Sequence, residues 1–159
     1  MSRHMMSAAL VVAVLSGPSI ASADLSRGVI AAFKGQLVIS KDELPEGKTD
    51  KDTITKIKAV QLKEIVGQPK ADVTGWRFHY TAFPSRVGAT TLKLMFYTDD
   101  KDHRYVADQR LDGVDPKSPI LTGDISIDED EGLAKGKAYI VKLETDKDVV
   151  VAQASVIMK

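Results

Sequence analysis

Two stretches with large apolar residues at every second position constrain this chain most. In residues 75–83, Trp76, Phe78, Tyr80 and Ala82 point one way and Arg77, His79, Thr81 and Phe83 the other. In residues 90–98, Leu92, Leu94 and Phe96 alternate with Lys93, Met95 and Tyr97. Period two over such a length marks a strand lying on a core, because successive side chains of an extended backbone leave on opposite faces. The short link Pro84-Ser85-Arg86-Val87-Gly88 predicts that the two strands pair as antiparallel neighbours. Shorter strands are predicted at 104–111 and 120–127, parted by the turn dipeptides Asp112-Gly113 and Asp115-Pro116. Two more, at 137–145 and 149–158, are joined by Asp146-Lys147-Asp148, a hairpin length. Residues 149–158 are apolar in both phases, which predicts cover on both faces.

The region before residue 70 is read in three pieces. Val29, Ala31, Phe33, Leu37 and Ile39, interrupted by Gly35, predict a first strand with a bulge. Residues 41–52, charged and carrying Pro45 and Gly47, form a loop. Between 53 and 66 two periods compete. Ile54, Ile57, Gln61, Leu62 and Ile65 fit one face of a helix capped by Asp52 and stopped by Gly67 and Pro69, whereas Val60, Leu62 and Val66 fit a strand. The strand is preferred because both flanks are β.

Ahead of this lies Arg3, an apolar run over 8–15, a helix-breaking Gly17-Pro18 and the small residues Ala21-Ser22-Ala23. A basic start, a short apolar stretch and a small-residue cleavage motif predict a signal peptide over residues 1–23, leaving one domain over 24–159. The run is too short to span a bilayer, so an exported protein without a membrane span is expected, periplasmic or extracellular. The chain has no cysteine, which rules out disulfides and an N-terminal lipidated cysteine and favours a bacterial setting. The core alone must hold the fold, which is feasible because a chain near 150 residues buries about two-thirds of its unfolded surface. Lys plus Arg number 22 against 22 Asp plus Glu, so no long-range field draws nucleic acid or anionic lipid.

Leu133, Gly136 and Tyr139, followed by Val141 and Leu143, carry a further signal. The spacing resembles the tyrosine corner of immunoglobulin-like and fibronectin type III sandwiches, in which a Tyr opening strand F turns its hydroxyl onto the backbone just upstream. The resemblance implies an all-β, antiparallel immunoglobulin-like β-sandwich of about seven or eight strands, with Tyr139 donating to backbone near residues 133–136. By order of strands, Trp76 matches the strand C tryptophan of that family. Val141 stands where an antibody domain has its second cysteine, which points to the broader class. Such sandwiches host unrelated roles, so the resemblance implies no activity.

Chemistry has little to point at. After the leader only His79 and His103 remain, on different predicted elements, and zinc needs three or four converging ligands. No Gly-x-Ser-x-Gly elbow or phosphate-cradling glycine loop is present. No cofactor is expected, and the chain is read as a non-enzyme. Asp99, Asp100 and Asp102, and Asp128, Glu129, Asp130 and Glu131, offer hard oxygens for calcium, but without EF-hand spacing they read first as solvated loops. If Trp76, Phe78, Leu92, Leu94 and Phe96 fill the core, then His79, Phe83, Met95 and Tyr97 lie on the outward phase as an apolar patch, the predicted binding surface. The expected function is an exported, non-enzymatic binding or accessory module, engaging a protein partner in an envelope or secreted assembly. The alternatives are a carbohydrate-binding module, which would use an exposed Trp76, and a hydrolase, which would need a pocket joining His79 or His103 to an acidic cluster. Exported protein should begin at Asp24, and N-terminal sequencing that finds Met1 intact would refute the leader.

Overall fold

The computed structural model describes residues 24–86 and 88–159, and the leader expected over 1–23 lies outside them. Two helices, α1 (Arg27–Ala32) and α2 (Asp50–Val60), flank the first strand, β1 (Leu37–Ser40). Then come β2 (Glu64–Ile65), β3 (Gln68–Lys70), β4 (Val73–Ala82), β5 (Thr91–Thr98), β6 (Tyr105–Asp112) and β7 (Leu121–Asp128). A 3-10 turn, Glu129–Glu131, precedes β8 (Lys137–Thr145) and β9 (Val150–Met158). The strands form an all-β sandwich of a four-stranded and a five-stranded sheet.

β4 is the axis of the four-stranded sheet. β7 pairs with it without interruption from Gly75↔Asp128 to Ala82↔Leu121. β1 and β3 pair with residues that β7 also pairs, so they share the opposite edge of β4. The five-stranded sheet runs β2-β9-β8-β5-β6, antiparallel except for the short β2–β9 pair. Trp76, Phe78, Tyr80 and Ala82 from one sheet meet Leu92, Leu94, Phe96, Val141 and Leu143 from the other in one continuous core. The alternation that predicted both strands is therefore the sandwich interior seen from its two sides.

That geometry corrects the expected β4–β5 pairing. The two strands face each other across the core in different sheets, and the link after Phe83 carries the chain between layers. Link length alone does not separate a hairpin from such a crossing. The expected cover on both faces of β9 is also corrected: Val156 and Met158 are buried, but Gln153 and Ser155 are exposed on the other face.

Two elements expected as strand are helical. Val29 and Phe33 are buried while Ala31 between them is exposed, so the operative spacing is four residues, not two. Ser26 caps α1 by accepting from the Val29 amide at 3.2 Å and ties it to α2 by donating to Asp50 at 2.6 Å. Residues 53–66 divide into helix and the short β2. Thr49, not Asp52, is the cap of α2, its Oγ1 accepting from the Asp52 amide at 3.2 Å, and Asp50 and Asp52 sit favourably in the first turn. The helix ends when Gln61 turns extended, after which the Leu62 amide bonds the Ile39 carbonyl at 2.7 Å. Both helices pack over the outer face of β1 and over Phe83 just after β4, where Val29, Phe33, Val38, Ile57 and Phe83 form a second apolar cluster.

The corner near Tyr139 forms with reversed polarity. Tyr139 is 3% exposed, and its hydroxyl accepts from the Ala134 amide at 2.8 Å where donation to the backbone was expected. Leu133 is buried in the main core, and Gly136 supplies a left-handed φ of 79° that side chains rarely tolerate. Tyr139→Phe keeps the ring but strips the amide of its acceptor, so it should cost about 1–2 kcal/mol. Chemical denaturation measures this, and an unchanged midpoint would show that water replaces the hydroxyl.

Candidate interaction surface

Among the described residues no helix lies over the outer face of the five-stranded sheet, unlike its counterpart. Cross-strand register sets its centre: Met95 lies opposite Lys142 on β8 and Asp108 on β6, and Tyr97 lies opposite Ile140 and Tyr105. Met95, Tyr97, Ile140 and Lys142 are half-buried and Tyr105 is 56% exposed. The Tyr97 ring meets Tyr105 edge-on at 6.5 Å between centroids, and Lys142 Nζ stands 4.8 Å above its centre. Tyr97 donates to Glu144 at 3.1 Å, while Tyr105 donates to Asp108. The result is an apolar strip with fixed hydroxyls and charges at its margins. Tyr105 also borders a cleft of about 620 Å³ at the end of the sandwich, lined by Asp99, Asp100, Arg104 and Tyr139 among others.

The four residues expected to form one patch are divided between the two sheets. Met95 and Tyr97 are adjacent on the open face. His79 and Phe83 lie on the far side of the molecule; Phe83 is 1% exposed and stacks on Phe33 at 5.2 Å under the helices. The patch was misplaced because β4 and β5 were read as neighbours, and Tyr105 and Ile140 were missed because their partners depend on long-range register. Trp76 is fully buried, its indole N–H donating to the Lys159 carbonyl at 3.1 Å. The residue a sugar-binding reading would need is thus unavailable to ligand.

His79 Nδ1 stands 3.0 Å from Asp124, and its Nε2 is buried without a partner among the described residues. A shallow cavity of about 400 Å³ joins His79 and Asp124 to Lys41, Asp42 and Glu43. A histidine backed by a carboxylate is half of a nucleophile-activating arrangement, but no hydroxyl lies within hydrogen-bonding distance of Nε2. Nearby Ser40 donates instead to the Asp42 carbonyl at 2.6 Å. His103 sits in the β5–β6 loop with a positive φ of 42°.

The acidic groups also separate. Asp100 is satisfied within its own loop by the Thr98 hydroxyl and the Asp102 and His103 amides, and these bonds hold its carboxyl below the usual range. Asp99 and Asp102 belong to that same loop. Asp128, Asp130 and Glu131 do converge, with carboxylate oxygens within 4.8 Å of one another. Lys70 already meets Asp128 at 2.5 Å, and Glu131 accepts the Asp128 amide at 2.8 Å.

No family model matches this chain, and no curated protein does. Among solved structures, β-glucosidase from Kluyveromyces marxianus in complex with glucose aligns with a TM-score of 0.33 at 10% identity, over 60% of this chain and 14% of the enzyme's. A likeness that slight carries no argument about fold or activity.

Burial, reinforced for Tyr97 by its bond to Glu144 and for Tyr80 by the Asp124 charge, raises both phenols from 10.0 to about 12. A raised folded value means that stability is complete below pH 10 and is lost as pH climbs toward 12. Ultraviolet titration should show Tyr80 and Tyr97 ionising near pH 12, together with the onset of unfolding. Tyr97→Phe should remove one late transition, and unaltered late absorbance would place Tyr97 in water.

Proposed function

We propose that this protein is an exported, non-enzymatic binding module, immunoglobulin-like in topology, that engages a protein partner through the open face of its five-stranded sheet. The observation that carries the reading is the asymmetry of the sandwich: α1 and α2 pack over part of one outer face, around Val38 and Phe83, while Met95, Tyr97, Ile140 and Tyr105 stay accessible on the other with no helix among the described residues above them. Aromatic and methionine side chains with hydroxyls and a lysine at hand are the composition found where proteins meet. The tyrosines lose little conformational freedom on binding, because partners within the sheet already hold them.

The immunoglobulin-like assignment is supported by strand order. Taking β1, β4 and β7 as strands A, B and E and β5, β8 and β9 as C, F and G places A, B and E in one sheet and C, F and G in the other, as that family has them. Tyr139 then opens strand F. Trp76 falls on strand B, which revises its expected place on strand C.

Photo-crosslinking residues at positions 95 and 105, and at exposed Arg77 on the opposite sheet as control, test the surface. Protein adducts are expected from the first two positions and none from the third. Met95→Asp should abolish the adduct formed from position 105 while stability changes by only about 0.5 kcal/mol, the scale of surface substitutions. Adducts from all three positions alike, or a glycan retained by the face in place of a protein, would overturn the reading.

A further inference from the structure

We propose that the free edge of β7 accepts an extended, basic peptide strand from a partner, adding a fifth strand to the four-stranded sheet. This is independent of the open face discussed above and lies on a different sheet. Among the described residues β7 pairs with β4 alone, so the amides and carbonyls of every second one of its eight residues point outward as an unused ladder.

The contrast with β6, the edge strand of the other sheet, singles β7 out. Natural edges are blunted by bulges, prolines, lysines or other charges, because an unpaired ladder otherwise recruits another chain. β6 has such devices: its register with β5 shifts between Phe96 and Tyr97, and it carries Asp108, Arg110 and Asp112. β7 also carries charge, at Asp124 and Asp128, but it has no bulge, proline or lysine, and its register with β4 is continuous. Leu111, Val114 and Leu121, on or between the two edge strands, are only partly buried against the main core. Alternate apolar side chains of an added strand would complete that cover.

Charge selects the occupant. On the outer phase of β7 the Asp124 side chain is 81% exposed, and Asp130 and Glu131 lie just past the strand's end. A cationic residue at every second position of the incoming strand would stand beside them, a favourable cross-strand arrangement. A second copy of this chain fits poorly, because pairing β7 with itself brings aspartates toward aspartates.

The probe is a short acetylated peptide of alternating Lys and Val, titrated into the whole protein with amide exchange followed by nuclear magnetic resonance. Saturable binding and slowed exchange confined to residues 121–128 are expected. The same peptide N-methylated along its backbone keeps charge and side chains but loses its donors, and should bind at least about tenfold more weakly. Thr122→Lys combined with Ser126→Lys, both at exposed positions, should weaken binding similarly through repulsion. Equal affinity of the N-methylated peptide, protection on β6 or the open sheet face, or no binding up to about 1 mM would each overturn the proposal. The N-methylated comparison needs no variant, so a folding defect in the lysine double variant would not mask the answer.

Discussion

Everything in this fold hangs on the inward face of β4. That face places Trp76, Phe78 and Tyr80 against the opposite sheet, while on the outward face Arg77 is exposed, His79 and Thr81 are buried, and Phe83 just beyond the strand packs under the helices. Such a strand cannot slip register, because a shift by one residue would turn its aromatics outward and Arg77 into the core. Without cysteine to close the sandwich, the closure is made by packing and by a polar clasp at one end. The Lys159 carbonyl accepts from the Trp76 indole and from the Gly67 amide at 2.6 Å, joining the two sheets through the largest core residue. Gly67 is required there by space: a Cβ would stand 2.2 Å from Thr74 and 2.9 Å from the indole nitrogen.

What could be read from the sequence follows from how local each signal is. Strand existence is local, and β4 to β9 appear within a residue or two of their expected limits. Partnering is not local. Strong alternation on two successive strands separated by a short link fits both a hairpin and a pair facing across a core, and only the tertiary fold decides between them. The N-terminal error has a different cause. Over five residues, Val29, Ala31 and Phe33 satisfy period two while Val29 and Phe33 satisfy period four, so the cap at Ser26 was the better guide. For α2 the preferred strand was wrong, and of the helical alternative only Ile54 and Ile57 lie in the helix, which is capped three residues earlier than expected, at Thr49, followed by Asp50 and Asp52.

The candidate site suffered most from this, since a surface patch multiplies every pairing error. Half of it, Met95 and Tyr97, remains on one open face because phase within a single strand is local. The other half lies on the opposite sheet, where Phe83 packs under the helices and His79 borders the loop Lys41, Asp42 and Glu43. Neither Tyr105 nor Ile140 had a signal of its own in sequence: each matters only through being opposite Tyr97. The tyrosine corner was legible because its residues lie within seven positions of one another, from Leu133 to Tyr139. Only the direction of its hydrogen bond was not.

The roofed and open faces also differ in how they treat polar groups. On the outer side of β4, His79 Nε2 and Thr81 Oγ1 are buried without partners among the described residues, a cost that apolar packing elsewhere must offset. On the open face, the deeply buried carboxylate of Glu144 accepts from Tyr97 and lies opposite Lys93 across the ladder. Glu144 in turn fixes the Tyr97 hydroxyl, and Lys142 over the ring restricts its plane. A buried acid is therefore the feature that orients the half-buried Tyr97 ring. In the proposed binding role, such pre-ordering would lower the entropy lost on association, and that would be the source of specificity for an otherwise modest apolar strip.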